Sequence, residues 1–208
     1  MATPSSDARD VNDKAAPTSG KPAPTSEPAQ TAVIAPSDEV RAMNAQELFA
    51  QAKPIPASQV TEDTALEVTV ATVSKYVTKE SGVEPKFNED QARKDHASGY
   101  LLDVGKQFNK FSAAQNAPKD SKESNFPYYG NWCGPRHSGP GAPVDTIDSL
   151  CKKHDECYAR QGYFACSCAI VMVDDIARNR NKFKSTGENI AATVIAIHFQ
   201  NSLCNPFK

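Results

Sequence analysis

The six cysteines of this 208-residue chain all lie between Cys133 and Cys204. An even number of cysteines at this density predicts a framework of three disulfide bridges that staples a small domain. Such bridges persist in oxidising compartments, so we expect the protein to be secreted or otherwise exported. The first fifteen residues have no apolar core of the kind that a signal peptide needs. Export by another route, release with a virion or a lysing cell, and a missing leader therefore all stay open.

Residues 1–60 differ in composition from the rest of the chain. They contain eight of the fifteen prolines and no Cys, Trp or Tyr. Such a composition buries too little apolar surface to offset the entropy lost on ordering, so we predict a disordered Pro/Ala/Ser/Thr-rich tail. A short helix is predicted at Asp38–Lys53, because apolar residues recur there at helical spacing and Pro54 and Pro56 would stop it.

Residues 61–124 form an accessory or linker region to which the sequence assigns no role. Within this region Leu66–Val70 alternates like a strand, but Ala65–Val77 also fits a helix, and both alternatives stay open. A helix is predicted over residues 89–113, with Asn88 as its cap. Its apolar stripe consists of Ala97, Tyr100, Leu101, Val104, Phe108 and Phe111.

Residues 125–208 are predicted to form a mainly helical, disulfide-linked domain. A loop with four glycines and three prolines lies between Tyr128 and Pro143. Helix-boundary residues and apolar periodicity predict three helices after this loop: from Pro143 and Asp145 to Gly162, from about Cys166 to Lys182, and from about Glu188 to Ser202.

His154 and Asp155 are the candidate chemical groups of the first of these helices. His154 lies on the inward face with Ile147 and Cys151, and Asp155 projects about 100° away on the neighbouring sector. This spacing places an imidazole and a carboxylate at one wall of a cleft. A lone His-Asp pair is more often a core histidine beside a solvated acid. Here Cys151 and Cys157 bracket the pair and a glycine-rich loop precedes it, which favours a functional site.

The loop Tyr129–Gly141 has the composition of a cation-binding loop. Its glycines let the backbone turn several carbonyls to one side. Calcium takes about six to eight oxygen ligands, often backbone carbonyls together with a bidentate carboxylate. A loop that offers carbonyls opposite Asp155 therefore predicts a calcium cage.

Together, the loop and the helix resemble the secreted, calcium-dependent phospholipase A2 family. The family's loop reads Y-G-x-x-C-G-x-G, followed by a proline, two spaced aspartates and C-x-x-H-D-x-C-Y. The resemblance is strongest over residues 129–158 and implies the family's helical, disulfide-linked fold. The matching residues are Y-G-N-W-C-G-P-R at 129–136, then Pro143, Asp145 and Asp148, and C-K-K-H-D-E-C-Y at 151–158.

The resemblance implies a hydrolase that cleaves the sn-2 ester of phospholipids into a fatty acid and a lysophospholipid. His154 would be the general base that takes a proton from the attacking water. Calcium would hold the phosphate and polarise the ester carbonyl, and the Gly134 N–H would be a second oxyanion donor. The implied catalytic residues are His154, Asp155 and Gly134, and the implied calcium ligands are the carbonyls of Trp132, Gly134 and Arg136 with the carboxylate of Asp155.

The resemblance also implies a disulfide pairing. Cys133–Cys151 and Cys157–Cys168 follow the family's pattern, and Cys166–Cys204 is the pair that remains.

Two positions depart from the family's pattern. Arg136 stands where the loop motif has a glycine, and Ala169 stands where the family has an aspartate that orients the histidine. Asp174 and Asp175 lie five and six residues further along the same helix. At those positions neither side chain easily replaces the missing aspartate.

Two alternatives compete with a calcium-dependent esterase. One is a non-catalytic phospholipase A2-like protein that binds membranes or receptors, which the two departures favour. The other is a zinc-binding module, because sulfur and nitrogen ligands recur on neighbouring helices. The candidate zinc ligands are Cys151, His154, Cys157, Cys166 and Cys168.

The expected partner is a phospholipid membrane surface, which the protein uses as substrate. The net charge of −2 indicates no particular partner, and we expect neither a nucleic-acid partner nor an oligomer. No run of about 18 apolar residues is present, so no membrane span is predicted.

Overall fold

Helices make up nearly all the regular structure in the computed structural model, which describes residues 45–78, 85–121, 127–163 and 165–201. The mainly helical fold class is therefore confirmed. Within these ranges, two short strands and two 3-10 turns, Ala57–Gln59 and Arg180–Lys182, accompany seven α-helices. The elements are α1 Ala45–Gln51, α2 Leu66–Ser74, β1 Val77–Thr78, β2 Lys86–Phe87, α3 Glu89–Lys94, α4 Gly99–Asn116, α5 Thr146–Gln161, α6 Cys166–Asn179 and α7 Thr186–Asn201.

The last helix, α7, occupies the centre of the core. Every residue from Ala191 to Ile197 is buried, which is the pattern of a helix that is covered on all sides. Helices α2, α4, α5 and α6 all pack against it. Residues on both sides of the predicted boundary at residue 125 therefore share one hydrophobic core, and the boundary itself stays a prediction.

The predicted apolar stripe of α4 faces this core. Leu101, Val104, Phe108 and Phe111 are all buried. The Phe87 ring of β2, which pairs antiparallel with β1, packs against α4 at Gly105. A Cβ added at Gly105 would lie 2.2 Å from the Phe87 ring, so only glycine permits this approach.

The single helix predicted over residues 89–113 is wrong, because the chain forms two helices there. Asn88 caps α3 as predicted, and its side chain accepts a hydrogen bond from Gln91 N at 3.0 Å. The chain then turns at His96, which has a φ of 56°. The Ser98 hydroxyl caps α4 through Leu101 N at 3.1 Å, and it donates to the carbonyl of Val60.

Part of the predicted disordered tail is ordered, so the prediction for residues 1–60 is wrong over residues 45–60. Phe49 is 6% exposed and Val60 is fully buried. These few large apolar side chains find places in the core of the folded region, which the average composition does not reveal. Helix α1 confirms the described part of the predicted Asp38–Lys53 helix, and residues 1–44 lie outside the described residues.

The remaining predictions agree closely with the structure. Leu66–Ser74 is helical, so the strand alternative is wrong. The Asp145 side chain caps α5, and Gly162 ends it with a φ of 96°. Helices α6 and α7 begin within two residues of the predicted positions. In the described part of the chain, no helix has the length and apolar character that a membrane crossing requires.

Candidate active site

The buried carboxylate of Asp148 organises the glycine-rich loop. Asp148 has no exposed surface, and its oxygens accept hydrogen bonds from three backbone N–H groups of the loop. The donors are Asn131 N at 2.9 Å, Trp132 N at 2.8 Å and Val144 N at 3.0 Å. A carboxylate that satisfies three amides fixes the backbone on both sides of the loop.

The start of the loop passes so close to Asp148 that a side chain does not fit. Gly130 has a φ of 58°, and a Cβ added there would lie 2.4 Å from the Asp148 carboxyl carbon. The neighbouring Tyr129 hydroxyl hydrogen-bonds the side chain of Asp145, and Asp145 accepts from Asp148 N at 3.0 Å. The Y-G pair and the two spaced aspartates therefore form one local unit.

Two disulfides join the loop and the helices around the candidate site. Cys133–Cys151 ties the loop to α5 with a Cα–Cα distance of 5.1 Å. Cys157–Cys168 ties α5 to α6. Both predicted pairs are present, whereas the predicted Cys166–Cys204 pair involves a cysteine outside the described residues.

The zinc alternative is wrong, because most of its proposed sulfur ligands are oxidised. Cys151, Cys157 and Cys168 are all in disulfide bonds, and a cysteine binds zinc only as a thiolate. In the described part of the chain, no three His, Cys, Asp or Glu side chains form a group that could hold a metal ion.

Arg136 adopts the left-handed backbone conformation that the family's glycine would provide. Its φ is 58°, which costs a non-glycine residue about 1 kcal/mol or more. Its guanidinium points to the end of α4, where it donates to the carbonyls of Gln115 at 3.2 Å and Ala117 at 3.0 Å. Last-turn carbonyls favour a cation, so these bonds offset part of the backbone strain.

A cavity of about 580 Å³ lies between the loop, α5, α6 and the two helices α4 and α7. The structure brings four of the predicted site residues to it, namely Trp132, Gly134, His154 and Asp155. Arg136 is not among the lining residues. The remaining wall is mostly apolar and includes Phe111, Tyr158, Met172, Ile195, His198 and Phe199.

Burial changes the acid–base properties of the adjacent pair in opposite directions. His154 Nδ1 lies 4.0 Å from Asp155 Oδ1. Burial lowers the pKa of His154 to about 4, so the imidazole is neutral at neutral pH. Burial also raises the pKa of Asp155 to about 7, with a smaller lowering by the Ser138 side chain and a smaller raising by the Asp148 charge.

One polar atom of each residue in this pair is buried without a hydrogen-bond partner among the described residues: His154 Nε2 and Asp155 Oδ2. Buried polar atoms are normally satisfied, so an orphaned carboxylate oxygen in a cavity that Trp132 and Gly134 also line fits a bound cation. Calcium suits this donor set, because its usual ligands are carbonyl and carboxylate oxygens.

Within residues 45–78, 85–121, 127–163 and 165–201, no carboxylate takes the role of the family's orienting aspartate. Ala169 is fully buried and has no polar atom to offer. The Asp174 side chain bonds Arg178 and the backbone N of Ala45, and Asp175 bonds Lys153 at 2.6 Å.

Helix α7 contributes cavity residues that the sequence did not point to, namely Ile195, His198, Phe199 and Asn201. His198 is a second histidine in the cavity wall, and its partial burial, aided by the nearby His154, lowers its pKa to about 4. Its ring lies 5.0 Å from Phe111 and 5.3 Å from Phe199. A histidine directly after the apolar run at residues 194–197 was the available signal, but nothing local indicates that this helix faces α5.

Comparisons with known proteins point to one family. The model of the family described as phospholipase A2 matches residues 106–206. A curated relative, the acidic phospholipase A2 homolog taipoxin gamma chain of Oxyuranus scutellatus scutellatus, is 44% identical over 57 residues. That match covers 26% of this chain and 36% of the relative, so the chain spans about a third of the relative's length. No solved structure matches the chain.

Proposed function

Because the chain belongs to the phospholipase A2 family through residues 106–206, we propose that it hydrolyses the sn-2 ester of phospholipids in a calcium-dependent reaction. The products are a fatty acid and a lysophospholipid. The observation that carries this proposal is the shared cavity of about 580 Å³, in which His154 and Asp155 face Trp132 and Gly134 of the loop.

In this proposal His154 is the general base. Its lowered pKa of about 4 keeps the imidazole neutral and able to accept a proton at neutral pH. It takes a proton from a water molecule as that water attacks the ester carbonyl, and it later gives the proton to the departing lysophospholipid oxygen. The Gly134 N–H donates to the oxygen on which negative charge develops.

The residues that would hold calcium are those that the resemblance implies: the carbonyls of Trp132, Gly134 and Arg136 and the carboxylate of Asp155. Bound calcium supplies positive charge for the substrate phosphate and for the developing oxyanion. The contribution of this chain is to shape the loop through Asp148 and to turn the Arg136 guanidinium away toward α4. The carboxylate with an unpartnered oxygen supplies the negative charge that the cation needs.

The proposed substrate surface is a phospholipid membrane, and the proposed location is an oxidising compartment outside the cell. The two observed disulfides support such a location, because they persist where thiols are not kept reduced. The monomeric state and the lack of a nucleic-acid partner stay predictions.

The direct test is fatty-acid release from phosphatidylcholine vesicles by the full chain, with calcium and with excess chelator. The matched control is His154→Gln, which keeps the fold and the loop but removes the proton acceptor. We expect release with calcium and only background release with chelator or with the variant. Equal release in all three arms would overturn the proposal.

Ala169 gives a specific reason to consider a second function. A family member without the orienting carboxylate could bind phospholipid without hydrolysing it. In that case the wild-type protein would bind vesicles in the presence of calcium and would release no fatty acid. The same vesicle experiment, with pelleting of bound protein added, distinguishes the two functions.

A further inference from the structure

A histidine that acts as a base needs its ring held in one orientation, usually by a hydrogen bond at its second nitrogen. In the described part of this chain His154 has no such bond, because Nε2 is buried and unpartnered. The position that could have supplied a carboxylate is Ala169, which is fully buried. Some other contact must therefore fix the rotation of the imidazole.

Two aromatic rings contact the imidazole. The Tyr158 ring, one turn further along α5, has its centroid 4.2 Å from that of His154 at an interplanar angle of 60°. The Phe199 ring, from α7, lies 5.3 Å away at 65°. Both arrangements are edge-to-face, the geometry that aromatic pairs prefer.

Phe199 is the better anchor of the two rings. It is 8% exposed and lies in the hydrophobic core, and its other neighbour, His198, is 5.3 Å away in a similar edge-to-face arrangement. A ring fixed in this way resists rotation of a neighbour that packs against it, because turning the neighbour toward it would make the two rings overlap. The charged or titratable groups that face His154 are Asp155 and Tyr158 on its own helix and His198 on α7.

We propose that Phe199, supported by Tyr158, is a positioning residue that holds the His154 imidazole in its reactive orientation in place of a carboxylate. This inference rests on the proposed function for its catalytic consequence. The orientation itself is a property of the calcium-free protein and does not depend on turnover.

The test compares Phe199→Leu with Phe199→Tyr, which keeps the ring, and with Phe111→Leu. Phe111 lines the same cavity but contacts His198, at 5.0 Å. The orientation is measured by the ring-current shifts of the His154 ring protons in NMR spectra of the full chain at one pH. We expect Phe199→Leu to move and broaden these signals, Phe199→Tyr to retain them, and Phe111→Leu to leave them in place.

The kinetic arm uses phosphatidylcholine vesicles with calcium. A small displacement of a catalytic group has a large effect on rate, so we expect Phe199→Leu to lower kcat about tenfold or more with little change in KM. Phe199→Tyr should retain most of kcat, and Phe111→Leu should act mainly on KM. If Phe199→Leu does not fold by circular dichroism, Tyr158→Leu at the half-buried ring takes its place and should show the same changes in weaker form.

The outcomes separate the two proposals. If the wild-type protein releases no fatty acid but the His154 signals respond only to loss of the Phe199 ring, the proposed function fails and the positioning role stands. Unchanged His154 signals and kcat in Phe199→Leu would overturn the positioning role while leaving the hydrolysis proposal intact. Equal changes in Phe199→Leu and Phe111→Leu would also overturn it, because the effect would then be one of general packing.

Discussion

The loop wall of the cavity, formed by residues 127–161, is held by polar contacts, whereas the helix wall, formed by α4 and α7, is held by apolar packing. In the loop wall one carboxylate, Asp148, satisfies three backbone amides, and a disulfide fixes the loop to α5. In the helix wall, Leu101, Val104 and Phe108 pack against a central helix whose residues 191–197 are all buried. The loop wall carries the candidate chemical groups, and the helix wall supplies apolar surface to the cavity. In our proposal, Phe199 of the helix wall also orients His154.

We expect the largest loss of activity when His154, the proposed base in the loop wall, is replaced. We expect His154→Gln to lower kcat by about 10²–10⁴-fold, because it removes the proton acceptor and keeps a side chain of similar size. The measurement is fatty-acid release at saturating vesicle concentration. A loss of less than about threefold would contradict the assignment of His154 as the general base.

The next largest effect should come from the carboxylate that shapes the loop. Asp148→Asn keeps one acceptor oxygen but places an NH2 group against backbone donors, so we expect the free energy of unfolding to fall by about 3 kcal/mol. The control is Asp103→Asn, whose native side chain is 60% exposed. Urea unfolding should show a change of less than about 0.5 kcal/mol for that control. Similar values for both variants would show that the loop does not depend on Asp148.

In the helix wall, His198 should make the free energy of unfolding depend on pH. The folded-state pKa of His198 is about 4, below the value of about 6.5 in an unfolded chain. The unfolded state therefore binds a proton first, so stability present above pH 6.5 is lost as the pH falls toward 4. In calcium-free protein, we expect the fall in unfolding free energy from pH 7 to pH 5 to be about 2 kcal/mol smaller in His198→Gln than in wild type. An identical fall in both proteins, measured by urea unfolding, would contradict this expectation.

The smallest expected effect is on the stability of variants at Arg136, whose guanidinium joins the loop wall to α4. Arg136→Gly and Arg136→Ala both remove the guanidinium bonds to α4, but only glycine relieves the left-handed backbone. We therefore expect Arg136→Gly to be more stable than Arg136→Ala by about 1 kcal/mol in urea unfolding. If the alanine variant is as stable as the glycine variant, the backbone at this position is not strained.

The same comparison explains how much could be predicted from the sequence. In the loop wall, Asp145 caps α5 from the position just before the helix, so the local sequence is a sufficient guide to that boundary. The two disulfide pairs were predicted from the resemblance to the family. The helix wall depends on contacts between distant segments. The break before α4 requires the Ser98 bond to the Val60 carbonyl, and the contact of Phe199 with His154 requires α7 to cross α5. No local pattern encodes either contact.

Residues 45–60, which precede the family's motifs, also depend on contacts with distant segments that the local sequence does not reveal. Composition predicted a tail through residue 60, yet Phe49 and Val60 enter the core. The family match begins at residue 106, inside α4, so the helix that closes the cavity is only partly covered by it. A tertiary pocket for one or two apolar side chains is enough to order a segment that its average composition would leave unfolded.

In the proposed site, Asp155 supplies the negative charge that holds calcium, and His154 is a base that does not contact the cation. Titration calorimetry with calcium on wild type, Asp155→Asn and His154→Gln tests it most directly. Calcium affinity depends on ligand charge, so we expect wild type and His154→Gln to bind calcium with comparable affinity and Asp155→Asn to give no binding heat. Binding of calcium to Asp155→Asn with the affinity of wild type would contradict the claim.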